Sequence, residues 1–161
     1  MAEEGGCIDL PGGVRVQRAG EVLVLRCGDV PPFRYPLAVG GRTFVRETGL
    51  VLEAELMERP PSEALKEDGR TAYIDWRAVK GKLWVRSRLP GDRIQPFGMC
   101  GTRKVKDILI DRKVPRLLRG EVPLVVDDEG VLWVVGVCLS ERAKVTEDAE
   151  KVLRIRARKV S

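Results

Sequence analysis

The sequence predicts a β-dominated α+β fold, with a hairpin-rich N-terminal unit followed by a small mixed α/β C-terminal domain. Two observations predict this class. Short segments of alternating apolar and polar residues recur between turns rich in glycine and proline, and one central segment has apolar residues at helical spacing. The 161 residues suffice for one ordinary domain or two small ones. We place the boundary so that residues 1–70 form a β-rich accessory unit and residues 71–161 form the second domain.

The first half of the chain is predicted to be a series of β-hairpins. Pro11-Gly12-Gly13, Gly20-Glu21 and Gly40-Gly41 supply turns between the alternating segments. The pattern predicts strands at 7–10, 14–18, 22–26, 35–39, 42–46 and 50–57. Arg59-Pro60-Pro61 ends the last of these strands, and the polar residues 62–68 predict a surface loop or a single helical turn.

The second half predicts further strands around one short helix. Three apolar residues, Val105, Ile108 and Leu109, share one face of a helix from Arg103 to Arg112, and Thr102 is a suitable N-cap. Pro115 should interrupt this helix before another helical turn at residues 116–119. Strands are expected at 72–76, 82–86, 122–126, 131–135 and 152–158, the third and fourth as a hairpin and the last as a closing strand with one basic face.

The composition limits the chemistry that this chain can perform. It has no histidine, and its four cysteines form no Cys-x-x-Cys pair, so we predict no metal site, no cofactor and no catalytic residue in the chain. The cysteines are expected to be reduced and to act as small apolar groups. No apolar run approaches the roughly 20 residues that span a bilayer, and the acidic N-terminus lacks the features of a secretory signal. We therefore expect a cytoplasmic protein without a membrane partner.

The charge of the chain is unevenly distributed. The segment from Arg77 to Arg119 contains 13 basic and 3 acidic side chains, whereas the first 76 residues contain 9 basic and 13 acidic ones. This asymmetry predicts a polyanionic partner on one part of the surface. The N-terminus of the predicted helix, with the Thr102 hydroxyl and the Gly101 backbone, would offer a seat for a phosphate oxygen.

Other interpretations of the basic segment remain open at this point. It could be a solvated helix face on which Asp107 and Asp111 pair with Arg103 and other neighbours. The eight aromatic residues fall mainly in strand patterns, which favours recognition of structured RNA by its backbone and shape over base stacking. Asp92 is expected to cap the Pro90-Gly91 turn and less readily to act as a catalytic carboxylate.

The spacing of several motifs resembles the C-terminal domain of bacterial tRNA(Ile)-lysidine synthetases. These motifs are Arg88-x-Pro-Gly-Asp-Arg, Pro96-x-Gly, Lys104-x-x-Lys-Asp, Lys113-Val-Pro with Arg119 and Pro123, and Gly130-Val-Leu-Trp-Val-Val-Gly136 with Arg142. They extend from about Leu83 to Ser140, and the Leu10-Pro-Gly-Gly hairpin is loosely similar to the segment just upstream in that family. A similar domain occurs in the β subunit of phenylalanyl-tRNA synthetase.

The resemblance implies a division of labour. In that family an N-terminal domain with a Ser-Gly-Gly-x-Asp-Ser pyrophosphate loop uses ATP and Mg to adenylate the wobble cytidine, which lysine then attacks, while the C-terminal domain grips the tRNA. No such loop occurs here, so no catalytic role is carried over, and we interpret the chain as an excised or separately encoded C-terminal part. The implied partners are tRNA(Ile), the catalytic domain and a second copy in a homodimer. The residues expected to contact RNA are Arg88, Arg93, Arg103, Lys104, Lys106, Lys113, Arg116, Arg119 and Arg142.

Two rival hypotheses belong to other functional classes. In the first, the chain is a protein-interaction or dimerisation module, and its basic face is incidental. In the second, it is a free-standing enzyme that uses carboxylates such as Asp92 and Asp128.

Overall fold

The computed structural model describes residues 6–27, 30–65 and 69–160. The acidic N-terminus and part of the polar segment 62–68 lie outside these residues, so the expectations for them are not addressed. The β-dominated α+β class is confirmed.

The first three strands form an antiparallel sheet of their own. They are β1 (Ile8–Leu10), β2 (Val14–Ala19) and β3 (Val22–Cys27), in the order β1-β2-β3. The two predicted turns connect them, and Gly12, Gly13 and Gly20 have φ values of 85°, 78° and 63°, which glycine adopts without steric cost. We name these strands the hairpin sheet.

The middle of the chain supplies four strands. They are β4 (Arg34–Pro36), β5 (Gly41–Val45), β6 (Leu50–Glu58) and β7 (Thr71–Asp75). A 3₁₀ turn at Ser62–Leu65 occupies part of the polar segment, as one of its two predicted forms, and another at Trp76–Ala78 follows β7.

The remaining elements surround two short helices. They are β8 (Trp84–Arg86), β9 (Arg93–Ile94), β10 (Arg103–Lys104), α1 (Val105–Asp111), α2 (Arg116–Arg119), β11 (Leu124–Asp127), β12 (Gly130–Val134), β13 (Cys138–Leu139) and β14 (Lys151–Lys159). A 3₁₀ turn lies at Glu141–Ala143. The predicted interruption between the helices is confirmed, with Pro115 in the N-cap position of α2.

Two larger sheets form the body of the molecule, and both cross residue 70. The five-stranded sheet has the order β13-β12-β11-β8-β4, and the four-stranded sheet has the order β5-β6-β14-β7. Strands β4, β5 and β6 from the first part of the chain therefore pair with or beside strands from the second. The hydrogen-bonded sheets do not break at residue 70. The domain boundary placed there therefore remains a prediction from the sequence.

The apolar side chains lie in two core clusters on opposite faces of the five-stranded sheet. One cluster joins this sheet to the four-stranded sheet and contains Trp133, Leu52 and Leu153, all fully buried. The other packs the apolar face of α1 against Leu124 and Val134 of β11 and β12. The predicted core face of the helix, Val105, Ile108 and Leu109, is confirmed.

The predicted start of the helix was wrong. Arg103 and Lys104 pair with β9 as strand β10, so the helix begins only at Val105. Lys104 occupies the N-cap position without a side-chain hydrogen bond, and the Val105 N–H donates to the Asp92 carbonyl at 2.9 Å. Thr102 therefore does not cap α1 and does not complete a phosphate seat there.

The last strand has the predicted basic face but is not at an edge. Strand β14 lies between β6 and β7, with which it pairs over nine and five residues. Arg154 binds Glu55 at 2.7 Å and Arg158 binds Glu53 at 3.2 Å, both acids being on β6. Much of this basic face is therefore paired within the four-stranded sheet.

Candidate nucleic-acid interface

A basic groove runs between the hairpin sheet and the two helices. Its volume is about 660 Å³. Six basic side chains line it, two from the hairpin sheet, one from the segment after β8 and three from the helices: Arg15, Arg26, Arg88, Lys106, Arg116 and Arg119. None of the described lining residues is acidic, and the others are Val30, Leu117 and Gly120. We use the name basic groove for this site.

The hairpin sheet is fixed against the helices by one buried polar contact and one ion pair. Gln17 is 1% exposed, and its Oε1 accepts the Leu117 N–H at 2.9 Å. Arg26 forms an ion pair with Glu121, just after α2, and both side chains are largely buried. Because Arg15 lies directly opposite Arg26 in the strand register, both arginines share the sheet face that looks toward α2.

A rigid turn holds the backbone on either side of Arg88. Asp92 accepts two hydrogen bonds from the Arg86 guanidinium, at 2.8 and 2.9 Å, and a third from the Leu89 N–H at 2.7 Å. Burial alone would raise the pKa of Asp92, but the Arg86 and Leu89 hydrogen bonds outweigh it and lower that pKa. The predicted turn cap is confirmed, and the arginine that binds Asp92 is Arg86.

The cations of the groove are partly neutralised by the protein, since Arg15 pairs with Asp9 at 3.1 Å and Arg26 pairs with Glu121. The Nε atoms of Arg26 and Arg88 are buried and, among the described residues, have no hydrogen-bond acceptor. Lys106 and Arg116 are exposed, whereas Arg119 donates from Nε to the Val114 carbonyl at 3.0 Å. A groove of this kind offers N–H donors to an anion that supplies several oxygens.

Four of the nine residues predicted to contact RNA line the groove, namely Arg88, Lys106, Arg116 and Arg119. Three of the others have local contacts or lie beside them. Arg93 donates to the Thr102 hydroxyl at 3.2 Å, Arg103 pairs with Asp111, and Lys104 is exposed on β10. The pairing of Arg103 with Asp111 confirms one of the local pairs expected on a solvated helix face.

Lys113 lies in the turn between the helices. It is exposed and has a φ of 58°, in the left-handed region, so its backbone closes α1. It is not among the residues that line the groove.

Arg142, the ninth predicted residue, is held within the protein. Its guanidinium binds the Asp127 carboxylate at 2.5 and 3.1 Å and donates to the carbonyls of Ala78 and Gly130. Asp127 is a fully buried carboxylate that also accepts N–H groups from Lys80, Glu129 and Gly130 at 2.8 to 3.1 Å. Burial would raise the pKa of Asp127, but the Arg142 and backbone hydrogen bonds outweigh it and lower that pKa.

Arg15 and Arg26 are the groove residues that the sequence analysis missed. They stand at equal distances from the Gly20-Glu21 turn, so a two-residue hairpin places them opposite each other. This symmetry was visible in the sequence and identifies a cross-strand arginine pair. Their approach to the helices was not visible, because Gln17 and Leu117 are 100 residues apart.

The described residues contain neither a metal-binding cluster nor a helix suited to a membrane. No group of three or more His, Cys, Asp or Glu side chains there could hold a metal ion. No helix in the same part of the chain has the length and apolar character needed to cross a membrane.

Comparison with known proteins places this chain beside the tRNA(Ile)-lysidine synthases. Residues 83–157 match the family described as TilS substrate C-terminal domain. A tRNA(Ile)-lysidine synthase of Dehalococcoides mccartyi (strain CBDB1) is 37% identical over 161 aligned residues, which cover 96% of this chain and 34% of that protein. The chain thus spans about a third of the length of the curated relatives that it matches.

One solved structure gives the same result for the fold. A structure titled as the TILS C-terminal domain superposes with a TM-score of 0.70 at 26% identity and covers 81% of this chain and 99% of its own. An N-terminal fragment of the phenylalanyl-tRNA synthetase β-subunit from Pyrococcus horikoshii has a TM-score of 0.48 at 22% identity and covers 55% of this chain and 28% of its own. Residues 83–157 thus match the TilS substrate C-terminal domain family, and the chain is similar to the C-terminal region of tRNA(Ile)-lysidine synthases.

Proposed function

We propose that this chain binds tRNA(Ile) through the basic groove and positions it for a lysidine synthase acting in the cytoplasm. The observation that carries the proposal is the convergence of six basic side chains, from the hairpin sheet, the segment after β8 and both helices, on a groove with no acidic residue among its described lining. The synthase would join lysine to the wobble cytidine in an ATP- and Mg-dependent reaction. That chemistry belongs to a catalytic domain, which we propose as the protein partner of this chain.

The groove fits the RNA backbone better than the bases. Four of its arginines and its one lysine lie on β2, β3, α1 and α2, and a fifth arginine follows β8. Guanidinium groups bind phosphate oxygens in a fixed fork geometry. None of the described lining residues is aromatic, so the groove provides no ring for base stacking. Recognition by phosphate, sugar and helix shape follows from this set of side chains.

The sequence contains no pyrophosphate loop, and the proposal therefore gives the chain a substrate-binding role. Asp92, one of the two carboxylates named in the enzyme hypothesis, is not available for acid–base chemistry, because it is engaged by Arg86 and by the Leu89 N–H. An ionised carboxylate held in this way has a lowered pKa and no proton to donate near neutrality.

The proposal is tested by the salt dependence of tRNA binding. Fluorescence anisotropy of labelled tRNA(Ile) would be measured with the 161-residue chain at several salt concentrations. If about five phosphates are contacted, log K should fall with log salt at a slope of about −4 to −5, since each phosphate contributes about 0.9 on a duplex.

A matched pair of double variants locates the binding site. Lys106→Gln/Arg116→Gln removes two exposed charges from the groove, and Lys151→Gln/Arg156→Gln removes the same charges from exposed positions on β14. We expect the first variant to lower the slope by about 2 and the second to leave it nearly unchanged. Equal effects of the two variants would show that the groove is not the site, and a chain that fails to bind tRNA at low salt would contradict the function itself.

A further inference from the structure

The hairpin sheet has an apolar outer face that nothing in the described residues covers. Paired residues of an antiparallel sheet share a face, and the register places Ile8, Val16 and Leu25 in one row across the three strands. Leu10 and Val14 form a second row, and Leu23 lies on the same face beside Leu25. We name these six residues the outer apolar face.

The exposure of this face is unlike that of a solvent-facing sheet. Ile8, Leu10, Leu23 and Leu25 are 62%, 44%, 61% and 64% exposed. Among the described residues, this face carries one charged side chain, that of Arg18, which lies opposite Leu23. None of the residues in either core cluster comes from the hairpin sheet, so the sheet has no core of its own within the described chain.

The orientation of the face is set by the contacts on the other side of the sheet. Gln17 and Arg26 point toward α2, where they bind the Leu117 N–H and Glu121. Because side chains alternate along a strand, the outer apolar face is directed away from the body of the molecule. It therefore cannot be buried by a small rotation of the sheet that keeps these contacts.

We propose that the outer apolar face is the docking surface for the polypeptide that precedes this region in full-length lysidine synthases. The relatives are about three times as long as this chain, which matches their C-terminal region, so the additional polypeptide lies upstream. The chain enters the hairpin sheet at β1, an edge strand, and consecutive elements are usually adjacent in space and joined by short connections. The occupant is an apolar surface, of the kind that an amphipathic helix presents, packed as a second layer on this sheet.

This docking surface would give the basic groove a fixed position relative to the catalytic domain. The outer apolar face and the pair Arg15 and Arg26 occupy opposite faces of the same three strands. A domain packed on one face would thus be separated from RNA in the groove by a single sheet. The inference rests on the proposed function for its partner, but its geometry is independent of RNA binding.

The test uses this chain and the first two thirds of the Dehalococcoides mccartyi synthase as separate polypeptides. Binding would be measured by titration calorimetry for the wild-type chain, for Leu23→Thr/Leu25→Thr, and for Phe44→Thr as a control. Threonine keeps the β-strand preference and adds no charge, and Phe44 is a 49% exposed strand residue on β5. We expect the double variant to bind at least about tenfold more weakly, because two anchoring side chains are lost, and the control to bind as wild type.

Three outcomes would overturn the inference. They are an undetectable interaction with the wild-type chain, equal affinity of wild type and double variant, and concentration-dependent self-association of the chain alone that the double variant abolishes. The last result, measured by sedimentation velocity, would assign the face to a second copy. Anisotropy with tRNA(Ile) on the same variants separates this proposal from the proposed function, because neither leucine lies in the groove and the tRNA affinity should remain unchanged.

Discussion

Replacement of Arg142 by methionine distinguishes a structural arginine from an RNA-binding one. The motif resemblance predicts an RNA contact for Arg142, whereas in the structure its guanidinium makes two hydrogen bonds to Asp127 and two to backbone carbonyls. Methionine removes the charge and all four hydrogen bonds but retains an unbranched side chain to pack. We therefore expect Arg142→Met to lower stability and to leave the tRNA affinity of the folded protein unchanged.

The magnitude follows from what the substitution leaves behind. Asp127 is fully buried and would lose its only ionic partner recorded among the described residues, and removal of one member of a buried pair costs about 3 to 5 kcal/mol. Three backbone N–H groups still bind the carboxylate, so we expect the lower end, about 3 kcal/mol. For a chain of this size that corresponds to a fall in Tm of about 6 to 12 °C.

The pH dependence identifies the cause of the loss. In the wild type the pKa of Asp127 is lowered, so its contribution to stability is present above the unfolded pKa of about 3.9 and is lost as the pH falls through the folded pKa. Arg142→Met removes the guanidinium hydrogen bonds that help to lower that pKa, so we expect the pKa to rise and protonation on acidification to relieve the buried charge. The difference in unfolding free energy between the two proteins should therefore be largest near pH 7 and should shrink below about pH 5.

Urea unfolding followed by tryptophan fluorescence measures this difference, because Trp133 is fully buried in the core between the sheets. A loss below about 1 kcal/mol at pH 7 would refute the structural role of the pair. So would a difference that stays constant down to pH 4. If the slope of log K for tRNA binding against log salt changes in the folded variant, Arg142 contacts the RNA.

Three further substitutions test separate parts of the structure. Asp92→Asn should lower the free energy of unfolding at pH 7 by about 2 kcal/mol, measured with urea, since it removes a charged partner from the half-buried Arg86. This loss should shrink on acidification, because the pKa of Asp92 is lowered in the folded protein and its contribution to stability disappears as the pH falls. Gln17→Leu should increase hydrogen exchange in the hairpin sheet and weaken tRNA binding, although it changes no groove side chain, and unchanged exchange would contradict the anchoring role. Gly81→Ala should lower the free energy of unfolding by about 1 kcal/mol because φ at this residue is +75°. The Asp128 carboxylate faces the new methyl group and has to rotate away. A stability equal to that of the wild type would contradict this expectation.

Local patterns predicted most of the elements but not their partners. The hairpin turns, the apolar face of α1 and the break at Pro115 were correct because each depends on a few neighbouring residues. The helix start was wrong because β10 pairs with β9, and this pairing with a segment about ten positions earlier overrides the capping preference of Thr102. In the same way β14 became a central strand, since the nine-residue run of β6 pairs with it from about 100 positions earlier in the chain.

The site shows the same division between local and long-range information. The local excess of charge after Arg77 correctly indicated the part of the chain that supplies Arg88, Lys106, Arg116 and Arg119. Charge counting could not separate these from Arg103 and Arg142, whose partners are Asp111 and Asp127. The nearest carboxylate in space determines how much of an arginine side chain remains for a ligand, and that distance is set by the fold. Arg15 and Arg26 of the groove also have such partners, in Asp9 and Glu121.

The net charge of the first part of the chain illustrates why the spatial partners of a charged side chain decide its role. Its acidic excess predicted no role in binding a polyanion, yet Arg15 and Arg26 come from it. Two of its acids, Glu53 and Glu55, lie on β6, where they pair with arginines of β14 in the four-stranded sheet. The fold thus neutralises basic residues of the C-terminal strand with acids from the first part and places two arginines of the hairpin sheet in the groove. If detachment of the hairpin sheet alone weakens tRNA binding, as expected for Gln17→Leu, then the RNA site is built from both the acidic first part and the basic second part of the chain.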